Sequence, residues 1–152
     1  MSRKQTGWTL IELMIVVMLA SLLMAIAVPG YRQFSQRAHR TDATIQLMRV
    51  TAQQERFYLQ NGTYASNAQL TLAPPAGLGF TGTSDRGDYT IAIAPDAAGL
   101  AVGYTVTATP IAAGSGGTQS DDTDCTSFIV DQNGRMGANG GYVPAEVEEC
   151  WR

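Results

Sequence analysis

Gly7-Trp8-Thr9-Leu10-Ile11-Glu12-Leu13-Met14-Ile15-Val16-Val17 opens an apolar run that continues to Val28, and Glu12 is the only charged residue between Leu10 and Val28. Arg3 and Lys4 form a small basic cluster ahead of it. An ionised carboxylate at membrane depth costs on the order of 2.5–3.5 kcal/mol by insertion scales, so Glu12 needs a partner. As a helix, residues 8–28 reach about 30 Å, enough to cross a bilayer core. Arg3 and Lys4 favour a cytoplasmic N-terminus. Arg32, Arg37 and Arg40 on the far side weaken that bias.

Two plain readings fit the length of the run. Ala25-Ile26-Ala27 is an A-x-A pattern, so a signal peptide cut after Ala27 would release a soluble secreted binding domain beginning at Val28. An uncleaved single-pass anchor would also be this long. Neither accounts for Glu12 within its string. The stretch from Gly7 to Val17 resembles the class III signal of the type IV pilin and pseudopilin superfamily. That resemblance implies cleavage between Gly7 and Trp8 by a prepilin peptidase, N-methylation of Trp8 and retention of the apolar run. Trp8 stands where the family usually has phenylalanine. Glu12 falls where the family carries its glutamate, and Pro29 where it often carries a helix-bending proline. Glu12 would then pair with the α-amino group of Trp8, its own or a neighbour's, which removes most of the burial cost. It would set the register of each incoming helix, as a lone polar residue does in a coiled-coil seam.

Pro29 cannot donate to the carbonyl of Ala25, so a kink is expected there. Beyond it the helical pattern resumes. From Phe34, apolar or small residues recur at Ala38, Thr41, Ile45, Met48, Ala52 and Leu59, widened by Leu47, Val50, Phe57 and Tyr58. Arg32, Gln36, Arg40, Gln46, Arg49, Gln53 and Arg56 form the polar face. This predicts an amphipathic half that lays its Phe34–Leu59 stripe on the rest of the chain. Asn61-Gly62 is the stop. A helix over residues 9–60 would be roughly 75–80 Å long, so half of it must project into a membrane or among partner helices.

After Gly62 a long loop with Pro74-Pro75 precedes strand signals. Tyr89, Ile91 and Ile93 alternate with Thr90 and Ala92; Val102, Tyr104 and Val106 alternate with Gly103 and Thr105. Phe128 to Val130 is a third run. Asn133-Gly134 is a hairpin turn leading to a short fourth strand near 135–138. The expected fold class is α+β, with a long N-terminal helix on an antiparallel sheet of about four strands, the ladle of the type IV pilins. The expected organisation is a leader over 1–7, a transmembrane and filament-core helix over 8–30, an amphipathic helix over 31–62 and a periplasmic head over 63–152.

Cys125 and Cys150 are the two cysteines. In a translocated chain they read as a disulfide worth roughly 3 kcal/mol in the chain-entropy model; in a cytosolic one, as two free thiols. The segment they bound resembles the disulfide-bounded D-region of the family. With Gln54-Glu55-Arg56-Phe57-Tyr58-Leu59-Gln60-Asn61-Gly62-Thr63-Tyr64, it makes the chain most like the PilE-type minor pilins. Minor pilins imply pilus assembly with pilus-dependent motility or adhesion. The implied partners are other pilin subunits through their N-terminal helices, the prepilin peptidase, an inner-membrane assembly platform, and membrane lipid before assembly. A type II secretion pseudopilin is the alternative within this architecture.

No phosphate loop, Ser-His-Asp arrangement or metal-ligand cluster stands out, so neither enzyme chemistry nor a cofactor is expected. Asp121, Asp122 and Asp124 lack EF-hand spacing and read as a solvated acidic loop rather than a calcium site. His39, the single histidine, reads as a surface residue, and Glu146, Glu148 and Glu149 as a solvated edge. Net charge is −3, and the arginines on the helix are spread along it, so no nucleic-acid partner is expected.

Overall fold

The computed structural model describes residues 9–112 and 119–152. The chain divides after Ser35 into two compact units. The first helix, α1, spans Leu10–Asn61 and runs through both. In the first unit it begins at Leu10, in a run rich in Leu, Ile, Met, Val and Ala with no glycine or proline before Pro29. The helical assignment is unbroken across Pro29-Gly30, so the proline does not end the helix.

In the second unit α1 packs on a four-stranded antiparallel sheet of order β1-β2-β3-β4. The strands are β1 (Tyr89–Pro95), β2 (Tyr104–Pro110), β3 (Phe128–Asp131) and β4 (Met136–Ala138). Alternation places Tyr89, Ile91 and Ile93 of β1 in the core, and Tyr104, Val106 and Ala108 of β2 beside them. The register pairs Ile93 with Val106 and Val106 with Val130, which stacks the buried rows. The β3–β4 hairpin turns at Asn133-Gly134 as its sequence predicts. Gly134 has φ 72°, and the Asp131 carboxylate accepts the N–H groups of Asn133 and Arg135 at 2.9 Å each. The second strand starts later than expected: Val102 lies in a turn and is exposed.

The face that α1 turns to the sheet is only part of the one expected: Leu47, Val50 and Phe57, from the widened edge of the stripe, are buried. Ala43, Leu47, Val50 and Phe57 are buried in the core, with Arg40, Gln46 and Gln54 buried on the same side. Ala38, Thr41, Ile45, Met48, Ala52 and Leu59, expected to pack, are exposed. The physical reason is that two of the buried polar residues, Arg40 and Gln54, carry partners. Gln54 donates Nε2–H to the Ala65 carbonyl at 2.9 Å and accepts the Ala65 N–H at 2.7 Å, closing the helix onto the following loop. Arg40 donates Nε–H and Nη2–H to the two oxygens of Asp122 at 2.6 and 2.7 Å. A polar side chain with such partners is no obstacle to burial.

Two further elements escape the pattern. A single 3-10 turn over Asn67–Gln69 is closed by a Ser66–Gln69 capping box. A second helix, α2, spans Pro144–Cys150, so the glutamates read as a solvated edge lie on a helix with proline in its first turn, Glu148 and Glu149 exposed. Removing one member of a buried ion pair strands the other charge, at a cost of about 3–5 kcal/mol, whereas an exposed pair is worth about 0–1 kcal/mol. Arg40→Met is therefore expected to destabilise the head strongly in urea unfolding of the detergent-solubilised chain. Arg49→Met, which removes an exposed pair with Asp85, is expected to change it by no more than about 1 kcal/mol. Equal losses would contradict this assignment.

Candidate assembly site

The carboxylate singled out in the sequence sits in the first turn of α1. Thr9 precedes the helix and Glu12 lies three residues on, the spacing of a capping box. The Glu12 N–H donates to Thr9 Oγ1 at 3.3 Å, and the Thr9 N–H and hydroxyl lie 3.5 Å from Glu12 Oε2. The negative charge also faces the positive end of the helix dipole. These bonds are long and exposed, so the carboxylate keeps capacity for a stronger partner. Gly7 and Trp8, expected to carry cleavage and methylation, lie outside the described residues.

Behind Glu12, Leu10–Ala27 is the one stretch among the described residues long and apolar enough to cross a membrane, with mean hydropathy 2.7 and none of it buried. Leu22, Leu23 and Ile26 are more than 60% exposed. Burying each such side chain is worth about 1.5–3 kcal/mol, so this surface calls for lipid or other helices.

The head is built to hold α1. Cys125 and Cys150 form a disulfide that ties the segment before β3 to the end of α2. Asp122, three residues before Cys125, receives Arg40 and also accepts the Cys125 N–H at 3.2 Å. The acidic loop is thus not simply solvated: Asp122 is buried and its carboxylate serves the helix, while Asp124 remains exposed. The hydrogen bond to Asp122 raises the Arg40 pKa further, keeping the pair charged. The Gly114-Ser115-Gly116-Gly117 stretch before it lies outside the described residues.

A second set of ties joins α1 to the loop before β1. His39 Nδ1 stands 2.5 Å from Asp88 Oδ2, Asp42 accepts the Arg86 N–H at 3.2 Å, and Arg49 reaches Asp85 at 2.5 Å. A carboxylate can only accept, so Nδ1 of His39 carries the proton. His39 is therefore a partly buried tie, not a free surface residue. Burial pushes the Tyr89 hydroxyl well up, and that of Tyr104 up to about 12, so both stay neutral inside the core. Sequence reasoning missed Arg40, Asp122, His39 and Asp88 as a group. Their only signal was opposite charge far apart in the chain, which pairing reveals only after folding.

Two family models match the chain. One, described as the prokaryotic N-terminal methylation motif, covers residues 2–28. The other, described as type IV minor pilin ComP, DNA uptake sequence receptor, covers residues 29–129. The type IV major pilin protein PilE1 of Neisseria gonorrhoeae is 34% identical over 76 residues, 50% of this chain and 36% of that protein. The type IV major pilin protein PilA of Myxococcus xanthus is 32% identical over 96 residues, 61% of this chain and 44% of that protein. The chain thus spans less than half the length of these curated relatives. Among solved structures, a type IV pilin from Shewanella oneidensis matches with TM-score 0.46 and 23% identity, covering 71% of this chain and 97% of that one. The methylation motif lies on the stretch that holds Glu12, the minor-pilin model takes up most of the remaining sequence, and the chain belongs to the type IV pilin family, among its minor pilins.

Proposed function

We propose that this chain is a structural, non-catalytic subunit of a type IV pilus that waits in the inner membrane and is then polymerised into the filament. The observation that carries this reading is the apolar stretch Leu10–Ala27, none of it buried, with Glu12 at its start. A prepilin peptidase cuts between Gly7 and Trp8 on the cytoplasmic side and methylates Trp8. Residues 1–7 are lost, 8–30 remain as the membrane-spanning and filament-core helix, 31–62 hold the head, and 63–152 form the head in the periplasm. Pro29 lets the helix bend as it leaves lipid for the filament. An assembly platform in the inner membrane receives it, and neighbouring pilin helices replace lipid around it. Pilus-dependent motility and adhesion are the cellular outputs.

Glu12 supplies direction to this exchange. Within the chain it caps its own helix weakly. Once Gly7–Trp8 is cut, an α-amine appears next to Thr9, and the charged pair fixes the axial offset between helices. Glu12→Val is expected to leave membrane insertion and cleavage intact and to lower recovery of the chain in sheared filaments at least ~10-fold, a loss of about 1.4 kcal/mol or more. Recovery equal to wild type would remove Glu12 from assembly.

The matched family model describes a DNA uptake sequence receptor. Charge argues against carrying that activity over. From residue 63 onward the chain has Arg86, Arg135 and Arg152 as its only basic residues, against ten acidic ones. Arg135 lies over the Tyr142 ring at 4.2 Å, and Arg152 is paired with Glu148. A head of this charge repels the phosphate backbone. Titration of labelled duplex DNA with the detergent-solubilised chain at physiological salt is expected to give a Kd no tighter than about 10⁻⁴ M. Sequence-dependent binding near or below about 1 µM would reinstate the receptor reading.

A further inference from the structure

Three asparagines in this chain precede a glycine: Asn61-Gly62, Asn133-Gly134 and Asn139-Gly140. This dipeptide has a chemistry of its own in water. The backbone nitrogen of the second residue can attack the side-chain amide of the first, and glycine has no Cβ to hinder the approach. The rate then depends on how firmly the fold holds the two groups. All three pairs are exposed, so access to water does not separate them. Their hydrogen bonds do.

Asn61 ends α1. Its Nδ2–H donates to the Phe57 carbonyl at 2.9 Å, and the Gly62 N–H donates to the Tyr58 carbonyl at 2.8 Å. Both reacting groups are tied into the last helical turn, which must unwind before they meet. Asn139 is pinned more fully. Its Oδ1 accepts the N–H and the hydroxyl of Thr126 at 2.8 and 3.0 Å, and its Nδ2–H donates to the Asp124 carbonyl at 3.0 Å. The Gly140 N–H donates to Ser127 Oγ at 3.0 Å. Asn133 is held only by its backbone, whose N–H donates to Asp131 Oδ1 at 2.9 Å. Among the described residues its side-chain amide has no hydrogen-bond partner. The Gly134 N–H donates to the Asp131 carbonyl at 2.9 Å, a bond that closes one turn at the surface. Water can replace that bond without unwinding an element.

We propose that the β3–β4 turn is a site of spontaneous deamidation, with Asn133 as the group modified and water as the co-reactant. The Gly134 nitrogen forms a bond to Cγ of Asn133 and gives up its proton. The Cγ–Nδ2 bond breaks, and ammonia leaves with that proton. The cyclic imide that results is opened by water at either of its carbonyls. Opening at Cγ restores the backbone and leaves aspartate; opening at the backbone carbonyl leaves isoaspartate, with the chain running through Cβ and Cγ. In sum, one amide and one water become one carboxylic acid and one ammonia, with no change of oxidation state. The modification acts on the turn itself. Asp131 Oδ1 accepts the N–H groups of residues 133 and 135 at 2.9 Å each. A carboxylate at 133 sets a second negative charge beside Asp131, and isoaspartate lengthens the backbone between those two N–H groups by a methylene. Both weaken the turn that leads into β4, a strand of three residues. The inference stands apart from the filament reading.

The test is peptide mass analysis of the detergent-solubilised full chain, aged at neutral pH, then reduced and cut with trypsin. Cleavage after Arg56, Arg86 and Arg135 places the three asparagine–glycine pairs in separate peptides, 57–86, 87–135 and 136–152, and 87–135 holds no other asparagine. The amide-to-acid mass gain is expected to accumulate in 87–135 at least ~10-fold faster than in either of the others. Asn133→Gln is expected to remove the gain from 87–135. The wild-type chain aged in denaturant, where the ranking hydrogen bonds are gone, is expected to react at all three pairs at similar rates. Four results overturn the proposal: no faster gain in 87–135 of the folded chain, a lead for Asn61 or Asn139, a gain in 87–135 that persists in Asn133→Gln, or an unchanged lead for Asn133 in denaturant.

Discussion

The structure turns on one unmet demand: Leu10–Ala27 exposes apolar surface on every side, and the chain buries none of it. Water is the worst solvent for such a helix, while lipid and other helices are both acceptable. Because the two good environments are close in free energy, transfer between them can be decided by a small, directional term. Glu12 is suited to supply it. Its bonds to Thr9 at 3.3–3.5 Å are too long to satisfy a buried charge. In the function proposed here a neighbouring amine satisfies it, one that cleavage between Gly7 and Trp8 would create, so processing would come before polymerisation.

The head answers a different requirement. It must grip α1 along one face and leave the other free. It does so with charge placed where hydrophobic packing alone would not fix orientation. Arg40 to Asp122 ties the helix to the disulfide-bounded segment, and His39, Asp42 and Arg49 tie it to the loop before β1. With both sides of the packed row pinned, α1 has little freedom to roll. The row Ala38, Thr41, Ile45, Met48 and Ala52 therefore keeps a fixed outward direction.

Much of this was legible in the residues. The length of α1, the alternation of β1 and β2 and the Asn-Gly hairpin all follow from local pattern, and two cysteines in a translocated chain already suggested the Cys125–Cys150 pairing. The packed face of α1 was legible only in part: Leu47, Val50 and Phe57 stood in the expected stripe, but hydropathy ranks Arg40, Gln46 and Gln54 as solvent-facing, and two of them are held inside by long-range partners. The same ranking sent Ile45 and Met48 inward, although an apolar row can equally await a partner outside the chain. The α2 helix was invisible because seven residues with three glutamates carry no periodic signal. Asp122 and His39 looked like surface charges, since their partners are far off in sequence.

The mass of the N-terminal peptide of the mature protein tests the central claim most directly. Retention of the apolar helix for assembly requires a chain that begins at Trp8 and carries a methyl group on its amine. A chain that begins at Val28 would have lost that helix with its leader, and the account would be wrong.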